Sequence, residues 1–275
     1  MRTAFEIIPS SLDFENCTLM CELSTEGFSY IIRDENKKSV EGMAVHHYDK
    51  STPPIGFPIA LQILFHKQRT LSQRFKKIII NYSLPESVFI PFSLYDSARN
   101  VDALNLVHGD LHGDGMILTD KIEEQKTYNV FRVRADMHEV IQTQFPNAEH
   151  SHQYSVLLKK PVTKDNNLFV IFYARKIVAC LVKDGIPQLI NTFNYQTAED
   201  VSYSILNICQ QFNVPNIALT ISGLLERKSA LYREIYKYFE TIEMASLPDC
   251  QKYHEEILVY PSHYFSHILA IDPCE

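Results

Sequence analysis

The second half of the chain carries the plainest alternation of apolar and polar positions. Leu168 to Ala174 (LFVIFYA) is a short apolar run rich in branched and aromatic residues. Ile177 to Val182 (IVACLV) follows Arg175-Lys176, and Pro187 to Tyr195 (PQLINTFNY) resumes after the turn residues Lys183-Asp184-Gly185. Runs of this length separated by turns predict three antiparallel strands. The period then changes. Thr197 stands where an N-cap belongs, Asp200 follows three residues on, and Val201, Ile205, Ile208, Cys209 and Phe212 recur at helical spacing until Asn213 and Pro215. Asn216 to Ile221 reads as a fourth strand closed by Ser222-Gly223. A helix capped by Ser229 follows, then a fifth strand from Thr241 to Ala245 and a last short helix from Pro261 to Ile271. The order β-β-β-α-β-α-β-α is that of a ribonuclease-H-like domain, a mixed sheet with helices on its faces.

The first half repeats the plan more loosely. Cys17 to Leu23, Phe28 to Arg33 and Val40 to Tyr48 predict three strands, Pro53-Pro54 breaks the chain, and Pro58 to Phe75 predicts a helix. Lys77 to Tyr82 reads as a strand, Tyr128 to Val133 as another, Ala135 to Phe145 as a helix and Ser155 to Leu158 as a strand. Residues 81–126 give no clear pattern. Pro161 to Asn167 (PVTKDNN) is the best linker, so the sequence predicts two lobes, residues 1–160 and 161–275, related by an internal duplication.

Composition narrows the function classes. The 275 residues carry 26 Lys and Arg against 33 Asp and Glu, a net charge of −7. An acidic surface repels phosphate backbones, so no nucleic-acid partner is expected. No apolar run is long enough to span a bilayer, and no secretion signal is read. Six scattered cysteines without a CxxC pair suggest reduced thiols and a cytoplasmic setting. Glycine is scarce at eight, which leaves few places where backbone N–H groups could approach a phosphate.

The stretches Asn191 to Phe212, Leu219 to Phe239, Phe145 to Leu158 and His263 to Glu275 resemble a bacterial family of unknown function assigned to the actin-like ATPase superfamily. Pilus-assembly and division proteins such as PilM and FtsA are looser relatives. The resemblance implies an α/β actin-like fold of two ribonuclease-H-like lobes, each a mixed sheet flanked by helices. In working members two hairpins with Asp-x-Gly-like signatures hold the phosphates, and a Gly-Gly turn seats the adenosine. This sequence departs at each point. The first hairpin offers Glu22-Leu23-Ser24 with Gly27 later, and Glu22 reads as an edge-strand residue in solvent rather than a displaced acid. The second has Tyr173-Ala174-Arg175-Lys176, where Arg175 is the candidate anion contact. The adenosine turn keeps only Ser222-Gly223. Phosphoryl transfer depends on positioning and charge neutralisation, so no cofactor and no ATPase activity are expected. The expectation is a protein-interaction module or scaffold with a protein partner. The alternative is a divergent nucleotide binder or phosphotransferase.

Leu106 to Asp120 (LVHGDLHGDGMILTD) resembles the catalytic loop of aminoglycoside and choline kinases, with Asp110 as base and His108 bracing the loop, but Gly115 replaces the metal-binding Asn. The same segment offers His108, Asp110, His112 and Asp114 as candidate metal ligands, with His150 and His152 as further partners. An exposed loop is the simpler expectation, and no metal is assigned.

Overall fold

The computed structural model describes residues 1–9, 11–49, 51–110, 115–159 and 164–272. The chain divides into two units. The first comprises Met1–Lys159, Cys250–Ile257 and Ile271–Glu275, and the second Lys160–Asp249 and Leu258–Ala270.

The first unit runs β1 (Arg2–Ile7), β2 (Cys17–Ser24), β3 (Gly27–Asp34), β4 (Ser39–His47), α1 (Phe57–Lys67), β5 (Lys77–Ser83), β6 (Ser87–Pro91), α2 (Asn100–His108), β7 (Gly115–Ile122), β8 (Thr127–Arg134), α3 (Ala135–Gln144), β9 (Glu149–His152) and α4 (Gln153–Lys159). Its main sheet has the order β1-β4-β3-β2-β5-β9. β2 pairs antiparallel with β3 and parallel with β5, and β5 pairs parallel with β9. Alternate residues Leu19, Cys21 and Leu23 of β2, Phe28 and Tyr30 of β3, and Ile80 and Tyr82 of β5 form one core with Leu61, Leu64 and Phe65 of α1 and Met137, Val140 and Ile141 of α3. Each such buried Leu or Ile contributes about 1.5–3 kcal/mol. Between β5 and β9 the chain builds a separate antiparallel sheet, β6-β8-β7; β8 is the strand expected over Tyr128 to Val133, while β6 and β7 fall where the sequence shows no clear pattern.

The second unit runs β10 (Asn167–Phe172), β11 (Lys176–Lys183), β12 (Ile186–Asn194), α5 (Ala198–Gln211), β13 (Leu219–Gly223), α6 (Ala230–Tyr236) and β14 (Ile242–Met244). Its sheet order is β12-β11-β10-β13-β14. β10 is antiparallel to β11 and parallel to β13, as β2 is to β3 and β5. The two sheets therefore share one plan, β4-β3-β2-β5-β9 answering β12-β11-β10-β13-β14. α5 starts at the expected capping box, where Thr197 accepts the Asp200 N–H and the Asp200 carboxylate accepts the Thr197 N–H. Its stripe of Val201, Ile205, Ile208 and Cys209 packs on the sheet beneath.

Beyond β14 lie β15 (Lys252–Tyr253), α7 (Glu255–Leu258) and α8 (Ser266–Leu269). β15 adds to the first unit parallel to β4. Asp272 accepts both terminal nitrogens of Arg33 and lies 3.4 Å from the Lys77 ammonium.

Four expectations are corrected. Ser155 to Leu158 belongs to helix α4 rather than a strand; Gln153 to Leu158 are all buried, so no polar side marks the helical period. The helix expected to reach Phe75 ends at Lys67 and continues as a 3-10 turn, Arg69–Ser72. The closing helix is two short pieces, a 3-10 turn Ser262–Tyr264 and α8. Cys250 is disulfide-bonded, whereas Cys17, Cys21, Cys180 and Cys209 are free and buried. Among the described residues no helix is long and apolar enough to cross a membrane.

Candidate functional site

The β2–β3 turn closes on itself. Ser24 Oγ accepts the backbone N–H of Glu26 at 3.1 Å and of Gly27 at 3.2 Å. The amides that a hairpin could turn toward an anion are thus used within the turn. Gly27 is needed for another reason. A Cβ there would lie 2.0 Å from the carbonyl oxygen of His46, because β4 passes directly against it.

Glu22 is not at a sheet edge. β2 has β3 on one side and β5 on the other, and Glu22 is 3% exposed. That corrects the expected solvent position. In the parallel register Glu22 stands beside Asn81 of β5, and Asn81 beside Ser151 of β9. Register partners share a sheet face, so a polar row crosses the carboxyl ends of three parallel strands, where open α/β sheets take ligands. Asn81 donates to Gln153 Oε1 at 2.5 Å and accepts from Ser151 Oγ at 3.2 Å. The amide nitrogen of Gln153 is buried without a hydrogen-bond partner. Nearby, Asp120 accepts the His152 N–H at 2.8 Å; burial raises its carboxyl, opposed by hydrogen bonds from Ser155 and that N–H.

In the second unit the β10–β11 hairpin is packed by its own side chains. Tyr173 is buried, its carbonyl accepts the Tyr195 hydroxyl at 2.6 Å, and the buried Lys176 ammonium stands 4.7 Å over its ring. Arg175 is exposed at the turn. The Ser222-Gly223 turn is engaged by the chain's own later residues. Ser222 Oγ lies 2.7 Å from Ser266 Oγ, 3.1 Å from His267 Nδ1 and 3.1 Å from the His263 carbonyl oxygen. Ser222, His263, Ser266 and His267 are all buried. His263 Nε2 is 2.8 Å from the Leu225 carbonyl, and burial lowers the pKa of its imidazole. Gly223 has φ +86°, and a Cβ there would meet Phe172 O at 2.2 Å.

The His108 loop is only partly described. His108 ends α2, exposed, with Nε2 3.1 Å from both the amide and the carbonyl of Ser87. Asp110 is exposed. His112 and Asp114 lie outside the described residues. His150 and His152 are engaged elsewhere: His150 Nε2 is 2.6 Å from Gln142 Nε2, and His152 Nε2 is 2.9 Å from Leu84 O. Among the described residues no group of three or more His, Cys, Asp or Glu could hold a metal ion.

Sequence reasoning missed Asn81, Ser151, Gln153 and Ser266. A polar residue inside an apolar strand, as in Ile79-Ile80-Asn81-Tyr82, was the available signal for the first. The rest depend on register and on chain return.

The family described as "Protein of unknown function (DUF3822)" matches residues 10–242, and the chain belongs to it. No curated protein matches the chain by sequence. Among solved structures, a Bacteroides thetaiotaomicron protein with actin-like ATPase fold and unknown function is similar, with 19% identity over 86% of this chain and 94% of its own, at a TM-score of 0.74. A chain of the PilM-PilN type IV pilus biogenesis complex is 9% identical over 92% of this chain and 97% of its own, at 0.58. The ethanolamine utilization protein EutJ from Carboxydothermus hydrogenoformans is 8% identical over 96% and 91%, at 0.51. The chain has the actin-like ATPase fold.

Proposed function

We propose that this actin-like fold serves as a non-catalytic interaction module whose two lobes are residues 1–160 and 161–275, with Cys250–Ile257 and Ile271–Glu275 returning to the first. The observation that carries the reading is Ser222. Its hydroxyl is held by Ser266, His267 and the His263 carbonyl, so the turn that resembles an adenosine seat is already in contact with the chain's own later residues. The Ser24 turn agrees with it, since its amides are spent internally. Fold and function are separable, and when the ligand-gripping groups are engaged elsewhere, surfaces carry the work. A similar fold also stands with a protein partner in the PilM-PilN complex.

A second reading, a divergent nucleotide binder, is favoured by one observation: the buried Gln153 amide nitrogen lacks a partner beside the Glu22–Asn81–Ser151 row. The test is a thermal-shift titration with ATP and ADP, with and without Mg²⁺. A ligand that binds the native state raises its melting temperature. The interaction module shows no shift. A nucleotide binder shows a rise that Glu22→Ala or Gln153→Ala removes.

A further inference from the structure

α1 buries Phe57, Leu61, Leu64 and Phe65 and turns Ile59, Gln62, Ile63, His66 and Lys67 outward. These outward positions are three and four residues apart, so they form one face. With Ile55 just before the helix, three isoleucines at four-residue steps make an apolar ridge, exposed at 79%, 61% and 48% in chain order. The exposed Pro53 and Pro54 extend it. Aliphatic side chains this exposed, in a row on a rigid helix, mark a contact surface rather than scatter.

The charge around the ridge identifies what it contacts. From Ser51 to Pro85 there is no Asp or Glu, while Lys67, Arg69, Arg74, Lys76 and Lys77 all fall there. Five of the 26 cations and none of the 33 acids lie in this stretch, which leaves 21 cations against 33 acids elsewhere. The segment is thus a basic island in an acidic protein. Lys77 pairs with Glu149 and Asp272. Among the described residues Lys67, Arg69, Arg74 and Lys76 make no ion pair. Lys67 sits one turn after Ile63 on the same face, and Arg69 follows the helix end.

The geometry points to α1 as a peripheral docking surface for an anionic lipid bilayer. A bilayer needs only shallow insertion of a few aliphatic side chains, with cations at the headgroup level and no carboxylate on the face. The isoleucines and the cations supply the first two, and α1 itself carries no carboxylate; Glu6 of β1, which accepts from Gln68 Nε2 at 3.1 Å, is the acid beside its C-terminal end. A second copy fits less well. A stable interface needs roughly 800 Å² per partner, which is more than three isoleucines on one convex helix offer, and a second copy would bring the same cations. Binding is reversible, because a single short ridge with a basic flank is a weak anchor. The inference stands apart from whether the protein binds nucleotide.

The test is flotation of the full chain with vesicles of phosphatidylglycerol mixed into phosphatidylcholine, and with vesicles of phosphatidylcholine alone. The protein floats with the anionic vesicles and not with the neutral ones, and added salt weakens it. Ile59→Asn with Ile63→Asn, and separately Lys67→Glu with Arg69→Glu, each reduce binding by roughly tenfold or more. Ile186→Asn, at an exposed isoleucine of β12, leaves binding unchanged. Ile59, Ile63 and Lys67 of α1 and Arg69 of the turn after it are all exposed, so an unchanged melting temperature confirms intact folding. No flotation with anionic vesicles, equal flotation with neutral ones, or binding indifferent to the ridge variants overturns the assignment. So does a concentration-dependent oligomer in vesicle-free solution that the ridge variants dissolve, since the occupant is then a second copy.

Discussion

Ser222 and Ser266, 44 residues apart, bring their hydroxyl oxygens to 2.7 Å inside the second unit. Ser222 lies one residue before the end of β13, in the turn that the family resemblance marks as an adenosine seat, and Ser266 begins α8. The contact turns a site-like turn into a packing joint. Ser222→Ala leaves the His263 carbonyl and the Ser266 hydroxyl buried without this partner, and stability falls by about 1–3 kcal/mol in urea denaturation. Ser266→Ala costs less, because it removes one of the hydroxyl's three contacts rather than all of them.

Gly27 and Gly223 test the claim that glycines here serve packing. Gly223→Ala combines a φ of +86° with a Cβ 2.2 Å from Phe172 O, and Gly27→Ala sets a Cβ 2.0 Å from His46 O. Both variants lose at least about 3 kcal/mol or fail to fold. Gly109→Ala meets nothing within 4 Å and bears only its backbone conformation, φ +77° and ψ 171°, so it costs about 1–3 kcal/mol and ranks below the other two. Parallel denaturation curves of the three variants check the ranking.

Burial also sets the response to acid. His46 is lowered to about 4, first by burial and then by His47 and the N-terminus; His150 is lowered to about 4 by burial and by His138. In the unfolded chain both protonate near 6.5. Between pH 6.5 and 4 the unfolded state therefore binds more protons, and stability falls as the pH falls through that window. Melting temperatures measured across it decline, and His150→Gln flattens part of the decline.

The free thiols are protected by the same burial. Cys17 is pushed up to about 12, chiefly by desolvation and then by Asp34, while Cys209 is raised to about 11 and Cys21 well above its usual range by burial. A thiol-specific reagent leaves these three unmodified in the native protein and labels them in denaturant. Rapid native labelling at Cys21 contradicts the packing described.

Much of the fold is legible in the sequence because each half repeats one rhythm. The largely apolar strands Cys17–Ser24 and Lys176–Lys183 and the capping box at Thr197 lie close to where the pattern places them. The misses have physical causes. α4 is buried on all sides, so Ser155-Val156-Leu157-Leu158 shows no helical period, and β9 is too polar (Glu-His-Ser-His) to read as a strand. Within residues 81–126 lie β6 and β7 of the inserted sheet, and β7 is largely exposed, so neither period marks it. The candidate site was legible only at Glu22 and Ser222-Gly223. Asn81, beside Glu22 in the register and bonded to Gln153, and Ser266 and His267, which meet Ser222, come together through register and chain return, which a linear pattern does not encode.

The Ser24 and Ser222 turns are hydrogen-bonded within the chain, and the proposed interaction module takes no nucleotide there. Isothermal titration of the full chain with Mg-ATP tests it most directly. The account predicts no saturable heat, for the protein as it stands and for Glu22→Ala alike. Saturable heat that Glu22→Ala or Gln153→Ala abolishes would contradict it and make the Glu22–Asn81–Ser151 row a working nucleotide site.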